Sequence, residues 1–148
     1  MAQKENKELT ISKKFNIPVA LLWDVWSSPN HIARWWGPNG FTNTITNMEF
    51  NEGGEWKFTM HGPDGTNYPN RSIYKEIIHF KKIVFQHFNP QFITTIIFES
   101  HGNETLLHWT MEFETAEYRE TIVKAHKADD GLKQNLDKLE VYLQSFEK

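Results

Sequence analysis

Four polar residues fall within segments predicted to form β-strands, and their types could support acid–base chemistry: Tyr74, Glu76, His87 and His108. A carboxylate beside a histidine can act as general acid and base when both face a dry pocket. Strand parity does not show that these side chains meet, and a hydrogen-bonded histidine or a solvated glutamate is the commoner outcome. Tyr74 is the one that we retain as a polar anchor of a pocket.

The seven histidines do not have the spacing of a metal site. No H-x₃-H or H-E-x-x-H pattern occurs, and the sequence has no G-x-S-x-G, P-loop or dinucleotide fingerprint. The glycines at Gly53-Gly54 and at Gly62 and Gly65 are typical of hairpin turns, which need positive φ. We therefore expect no metal, no cofactor and no catalytic residue, and we predict that the protein is not an enzyme.

Composition excludes several other classes of protein. The chain has 148 residues, which suits one domain, and its lack of cysteine excludes disulfides, thiolate zinc sites and a cysteine nucleophile. A net charge of −3 argues against binding nucleic acid. The polar N-terminus and the short apolar runs predict a cytoplasmic protein without membrane insertion. We predict a disordered polar lead over residues 1–8 and a single domain over residues 9–148.

The N-terminal part of the domain combines a strand with two short helices. Alternating apolar residues from Leu9 onward predict the first strand. Asn16 as N-cap and Pro18 in the first turn predict a helix that ends at Ser28-Pro29. A second short helix is predicted from Asn30 to about Trp35.

The middle of the chain has the period of β-strands. Between Thr42 and Phe113, alternation and turn signals predict about six antiparallel strands. Three of them are predicted at Ser72–Phe80, Ile83–Phe88 and Phe92–Ser100. The last strand carries its apolar residues on one side only, which is typical of an antiparallel sheet with one covered face.

The C-terminal part returns to helical periodicity. We predict a short helix or ordered loop over Glu114–Lys127, and then a long helix that is preceded by Asp129-Asp130-Gly131. Its apolar residues are spaced to form one stripe: Leu132, Leu136, Leu139, Leu143 and Phe146. No other helix is long enough to cover this stripe, so it should lie across the sheet. The predicted fold is α+β, a curved antiparallel sheet of six or seven strands wrapped around a long C-terminal helix, with two short helices after the first strand.

Several segments resemble one known family. The stretch from Phe15 to Phe41, including the run ARWWGPNGF, is similar to the opening of the Hsp90-ATPase-activator-homologue-like (AHSA1-like) branch of the START/Bet v 1-like (SRPBCC) superfamily. The segments Gly53–Phe58, Met60–Gly65 and Leu132–Leu139 also match, in the same order. The resemblance implies a helix-grip fold that encloses a cavity for an apolar ligand. It implies no shared catalytic residues, because the family has none.

The 21 aromatic residues raise the question of whether the interior is filled or hollow. The adjacent Trp35 and Trp36 could form the mouth of a pocket, or one could plug the core while the other covers a loop. The covered face of the sheet could likewise be plain core or cavity wall. On the cavity interpretation, the residues predicted to contact the ligand are Trp26, Trp36, Phe58, Met60, Tyr74, Phe85, His87, Trp109, Met111, Leu132 and Leu136.

These observations favour a non-enzymatic binding domain for a small hydrophobic molecule, aromatic or lipid-like. One alternative, from the resemblance, is a domain that contacts an Hsp90-type chaperone and stimulates its ATPase, which would place it in a stress response. A second alternative is a cyclase- or hydrolase-like enzyme that uses the same cavity. The chain is expected to be a monomer or a homodimer.

Overall fold

The computed structural model describes residues 7–88, 91–126 and 128–145, which form seven strands and four helices. The elements follow one another as β1 (Glu8–Phe15), α1 (Val19–Ser27), α2 (Pro29–Trp35), β2 (Thr42–Met48), β3 (Glu55–His61), β4 (Asn67–Ile78), β5 (Lys82–Phe88), β6 (Phe92–His101), β7 (Glu104–Glu112), α3 (Ala116–His126) and α4 (Ala128–Gln144). The strands form one antiparallel sheet in the order β1-β7-β6-β5-β4-β3-β2. The predicted α+β class and the curved sheet around the C-terminal helix are confirmed.

The sheet is curved, and α4 lies against its concave face. Irregular pairing interrupts β2 between Ile45 and Asn47 and β4 between Tyr74 and Glu76. Such bulges bend a strand and increase its twist. The leucine stripe of α4 is buried in the same apolar core as the concave face of the sheet. The amphipathic helix and the one-sided strands thus cover each other's apolar surfaces.

The predicted start of the first helix is wrong. Asn16 makes no capping contact, and Pro18 occupies the N-cap position with extended backbone, φ −70° and ψ 153°. The Pro18 carbonyl accepts hydrogen bonds from the N–H groups of Leu21 and Leu22, at 3.1 and 3.3 Å. Ile17, which lies between Asn16 and Pro18, is buried, and its carbonyl accepts a hydrogen bond from the Thr105 hydroxyl. The chain is therefore anchored in a bend at residues 16 and 17, and the helix starts only after Pro18.

The predicted start of the C-terminal helix is also wrong, because α4 begins at Ala128 and includes the acidic pair and Gly131. Gly131 is therefore an interior helix residue, and a Cβ there would lie 3.9 Å from Pro38. The glycine therefore does not break the helix, and a side chain there would make ordinary van der Waals contact with the loop.

Strand β4 begins five residues earlier than the predicted Ser72 and ends at Ile78. Pro69 lies opposite Thr59 of β3, and the described pairing of β4 with β5 starts at Arg71. Strand β1 begins at Glu8, inside the predicted lead. Residues 1–6 of that lead, Lys127 and Phe146 lie outside the described residues. No helix in the described part of the chain is long and apolar enough to cross a membrane.

Candidate ligand-binding cavity

The two adjacent tryptophans after α2 have different surroundings. Trp35 is completely buried in the core, where its indole N–H donates a hydrogen bond to the carbonyl of Val25 at 3.1 Å. Trp36 ends the helix in extended conformation and stacks on Trp109, with ring centroids 5.4 Å apart and an angle of 19° between planes. Each of the two interpretations of this pair therefore describes one of its members: Trp35 is core, and Trp36 is cavity wall.

The loop from Trp36 to Phe41 is held in place by polar side chains of α4. The Asn135 amide accepts a hydrogen bond from the Gly37 N–H at 3.0 Å and donates one to the Trp35 carbonyl at 2.8 Å. The Lys138 ammonium donates to three carbonyl oxygens of the loop, at 3.4, 3.2 and 3.1 Å. Burial lowers the pKa of the Lys138 ammonium from its usual value. These contacts fix one wall of the cavity on the C-terminal helix.

Gly37 allows this loop to approach the sheet. Its φ is +95°, a left-handed conformation that side chains rarely adopt. A Cβ at this position would lie 2.7 Å from the terminal methyl carbon of Met60. A larger residue here would therefore displace either the loop or the cavity wall.

A cavity of about 580 Å³ lies between the concave face of the sheet, this loop and the helices α3 and α4. Its wall is mostly aromatic and apolar, and its exposed rim is formed by residues 67–69 at the start of β4. The described residues that line it are Trp36, Gly37, Pro38, Phe41, Trp56, Phe58, Met60, Asn67, Tyr68, Pro69, Asn70, Ser72, Phe85, His87, Phe92, Thr94, Trp109, Met111, Ile122, Gly131, Leu132 and Asn135. A volume of this size is typical of sites for small organic ligands.

A short polar strip crosses the aromatic wall. Ser72 of β4 lies directly opposite His87 of β5, and both are buried. The Nε2 atom of His87 is 2.7 Å from the Asn70 amide oxygen, which accepts its hydrogen, and the imidazole stacks on Phe92 at 4.6 Å between centroids. Thr94 of β6, 1% exposed, adds a hydroxyl to the wall. The strip places hydrogen-bonding groups on an otherwise apolar surface.

Eight of the eleven residues predicted to contact a ligand lie on the cavity wall: Trp36, Phe58, Met60, Phe85, His87, Trp109, Met111 and Leu132. Their contact with a ligand stays a prediction. The other three, Trp26, Tyr74 and Leu136, do not line the cavity and lie in the packed core beside it.

The core positions of these three correct the prediction for them. Trp26 is enclosed between Trp35 and Trp109, at 4.8 and 5.1 Å between ring centroids. Tyr74, 2% exposed, lies edge-on to Phe50 at 5.0 Å, and burial raises the pKa of its hydroxyl well above the usual range. Tyr74 is on the same side of β4 as the cavity, but it lies two residues beyond Ser72, which is the last residue of this strand to line the cavity. It therefore does not serve as the polar anchor.

Sequence reasoning missed the polar part of the wall. Asn70 and Ser72 share a face of β4 with Tyr74, and Thr94 shares a face of β6 with the buried Ile96. Alternation alone could have assigned them to the covered face. Their residue types indicate the opposite face, because small polar residues are ordinarily expected on the exposed side of a strand.

The four residues considered for acid–base chemistry do not converge. Glu76 forms an ion pair with Lys82 at 2.6 Å. His108 bonds the Ser12 hydroxyl at 2.8 Å on the opposite face of the sheet from the cavity. No group of three or more His, Asp or Glu residues within the described ranges is arranged to hold a metal ion.

The curved sheet, the crossing helix and the aromatic cavity define a START/Bet v 1-like protein of helix-grip architecture. The family model described as Activator of Hsp90 ATPase homolog 1-like protein matches residues 16–144, so the chain belongs to that family. No curated protein matches the sequence.

Solved structures support the same fold at low sequence identity. A protein from Arthrobacter aurescens is 22% identical and has a TM-score of 0.88, over 94% of this chain and 87% of that one. A protein from Nitrosomonas europaea is 19% identical with a TM-score of 0.84, over 93% and 94% of the two chains. An AHSA1-like protein from Aeromonas hydrophila is 17% identical with a TM-score of 0.71, over 93% of each chain. At these identities the likeness concerns the fold alone.

Proposed function

We propose that the protein is a non-enzymatic binding domain that encloses a small hydrophobic molecule between the sheet and the C-terminal helix. The observation that carries the proposal is the cavity of about 580 Å³ with its mainly aromatic wall. Apolar burial contributes about 25 cal/mol per Å² before the costs of association are subtracted. Met60 and Met111 are only partly buried, and their flexible side chains can adapt the wall to an irregular ligand.

Two neighbouring residues on β7 provide a matched test. Met111 lies on the cavity wall, whereas Thr110 points to the opposite face, where its hydroxyl is 3.2 Å from that of Thr10. Met111→Trp should fill part of the cavity and weaken the binding of a tricyclic aromatic probe about tenfold or more, because the added ring occupies ligand volume. Thr110→Trp adds a larger increment of volume outside the cavity and should leave the affinity unchanged.

Isothermal titration calorimetry with fluorene measures these affinities, and native mass spectrometry of freshly purified protein reports a co-purified ligand and the oligomeric state together. Equal loss of affinity in both variants, or no binding to the unmodified protein, would contradict the proposal.

A second candidate function, contact with an Hsp90-type chaperone, is supported by the description of the family. If it holds, the purified protein should bind an Hsp90 homologue and raise its rate of ATP hydrolysis. An ATPase assay with no stimulation at saturating protein would remove this candidate.

The enzymatic alternative lacks support in the described site, since neither Glu76 nor His108 reaches His87.

A further inference from the structure

Among the residues that the structure describes, none that lines the cavity is Asp, Glu, Lys or Arg. Lys138, on the neighbouring helix, has its ammonium bonded to the carbonyls of the loop and does not line the cavity. Enclosing a charged group without a partner of opposite charge is costly in an apolar site. A carboxylate ligand would therefore lose its hydration without gaining an ion pair from a lysine or an arginine.

Among the residues that the structure describes, three buried polar groups on this wall have no hydrogen-bond partner: the hydroxyl of Ser72 and the indole N–H groups of Trp56 and Trp109. Ser72 and Trp56 lie directly opposite each other in the pairing of β3 with β4. Ser72 is 0% and Trp56 is 1% exposed. Side chains at directly opposed positions have Cβ atoms about 4.5–5.5 Å apart. Both groups are donors, and the indole N–H can only donate.

An unpartnered indole N–H is not by itself a mark of the cavity. Trp26 in the packed core also has one. What distinguishes the wall is the combination of Ser72 with Trp56, at one cross-strand position beside the Asn70–His87 pair. A buried donor left unsatisfied costs about 1–3 kcal/mol. A ligand that brings an acceptor to this position recovers that cost, whereas a plain hydrocarbon does not.

We infer that the ligand is uncharged and aromatic and carries a hydrogen-bond acceptor of the carbonyl type, which binds at Ser72 and Trp56. This inference rests on the proposed binding function and specifies the class of ligand. The aromatic wall holds the flat apolar body, and the donor pair fixes its orientation. A fatty acid or another carboxylate is disfavoured because the described part of the wall offers it no lysine or arginine. A cationic ligand is disfavoured because it offers no acceptor to the two donors.

Matched tricyclic probes test the inference by calorimetry on the whole protein. Fluorene and 9-fluorenone have nearly the same shape and differ in the acceptor oxygen. We expect fluorenone to bind about five- to tenfold more tightly than fluorene, the gain from satisfying a buried donor. We also expect 9-fluorenone-4-carboxamide to bind at least about tenfold more tightly than 9-fluorenone-4-carboxylate, because only the carboxylate brings an anion into the apolar site.

Ser72→Ala should reduce the fluorenone-to-fluorene affinity ratio about threefold or more. The ratio within one variant cancels any uniform loss of affinity from altered packing. Ser12→Ala is the control, since Ser12 bonds His108 on the other face of the sheet, and its ratio should equal that of the unmodified protein.

The outcomes separate this inference from the proposed function. If fluorene binds but the ketone adds nothing, if Ser72→Ala leaves the ratio unchanged, or if the carboxylate binds as tightly as the carboxamide, the inference is overturned and the binding function stands. If none of the four probes binds, the binding function itself is contradicted.

Discussion

The concave face of the sheet has two ends that differ in how they are filled. At one end, α1 packs on β6 and β7, and Ile83, Ile96 and Phe98 are buried apolar residues. At the other end, the same strands carry His87 and Thr94, which line the cavity. Each central strand therefore passes from packed core to cavity wall within about four residues.

The difference shows that aromatic content does not decide whether an interior is solid. Trp26 and Trp109 are in edge contact at 5.1 Å, yet only Trp109 reaches the cavity. Packing is complete where the N-terminal helices add a second layer of side chains. It is incomplete where the loop after α2, the helix α3 and the start of α4 lie over the sheet.

The largest expected effect compares two phenylalanines on β6. Phe98, 4% exposed, contacts Trp23 at 5.1 Å in the packed end, and Phe98→Ala should cost about 3–5 kcal/mol of unfolding free energy, because it creates a new cavity. Phe92 on the wall is half-buried, and Phe92→Ala should cost only about 1–2 kcal/mol, since it enlarges an existing cavity. Urea unfolding measures both values. Equal costs would contradict the distinction between the two ends.

A smaller effect is expected at the boundary between the two ends, where Lys138 holds the loop from Trp36 to Phe41. Lys138→Met should lower the unfolding free energy by about 1–2 kcal/mol, because three charge-assisted hydrogen bonds of a partly exposed group are lost. Lys133→Met on the exposed side of α4 is the control and should stay within about 0.5 kcal/mol of the unmodified protein. A matching loss in both variants would mean that the loop is held by other contacts.

The smallest effect is a pH dependence at the packed end. Burial raises the pKa of the Tyr74 hydroxyl above its usual value of 10.0, so the folded state keeps a proton that the unfolded chain releases. Stability from this group is complete below pH 10 and falls as pH rises above it. Between pH 10 and 11 the unmodified protein should lose about 1 kcal/mol more unfolding free energy than Tyr74→Phe.

Urea unfolding at both pH values checks the Tyr74 prediction. Tyr68→Phe, at a tyrosine that is 45% exposed on the cavity rim, controls for the removal of a phenol. An alkaline loss that Tyr74→Phe does not relieve would show that the hydroxyl is accessible to solvent in the folded protein.

Much of the fold followed from local patterns. Alternation located the covered face of β7, and the leucines of α4 identified the side of the helix that lies on the sheet. Errors occurred where a tertiary contact overrode a local signal. Asn16 is a good capping residue, but the chain bends at buried Ile17 and the helix starts only after Pro18. Gly131 is a good helix breaker, but it lies within α4 where the helix approaches Pro38.

The sequence points to apolar residues that line the cavity but not to the polar ones beside them. Apolar residues on the covered face, such as Phe58 and Phe85, are recognisable by parity. Parity does not tell where along a strand the cavity stops, so Tyr74 was assigned to the wall and Ser72 was missed. The position at which the cavity ends depends on which helix covers which part of each strand.

The sequence by itself determined the layers, the covered face of each strand and the family, since these follow from periodicity and from motifs that are local in the chain. Only the tertiary structure decided that the interior is hollow at one end. The volume left between layers depends on how α1, α2 and α4 are spaced over the sheet, which no single segment specifies. The same spacing buries Ser72 and Trp56 in the cavity wall.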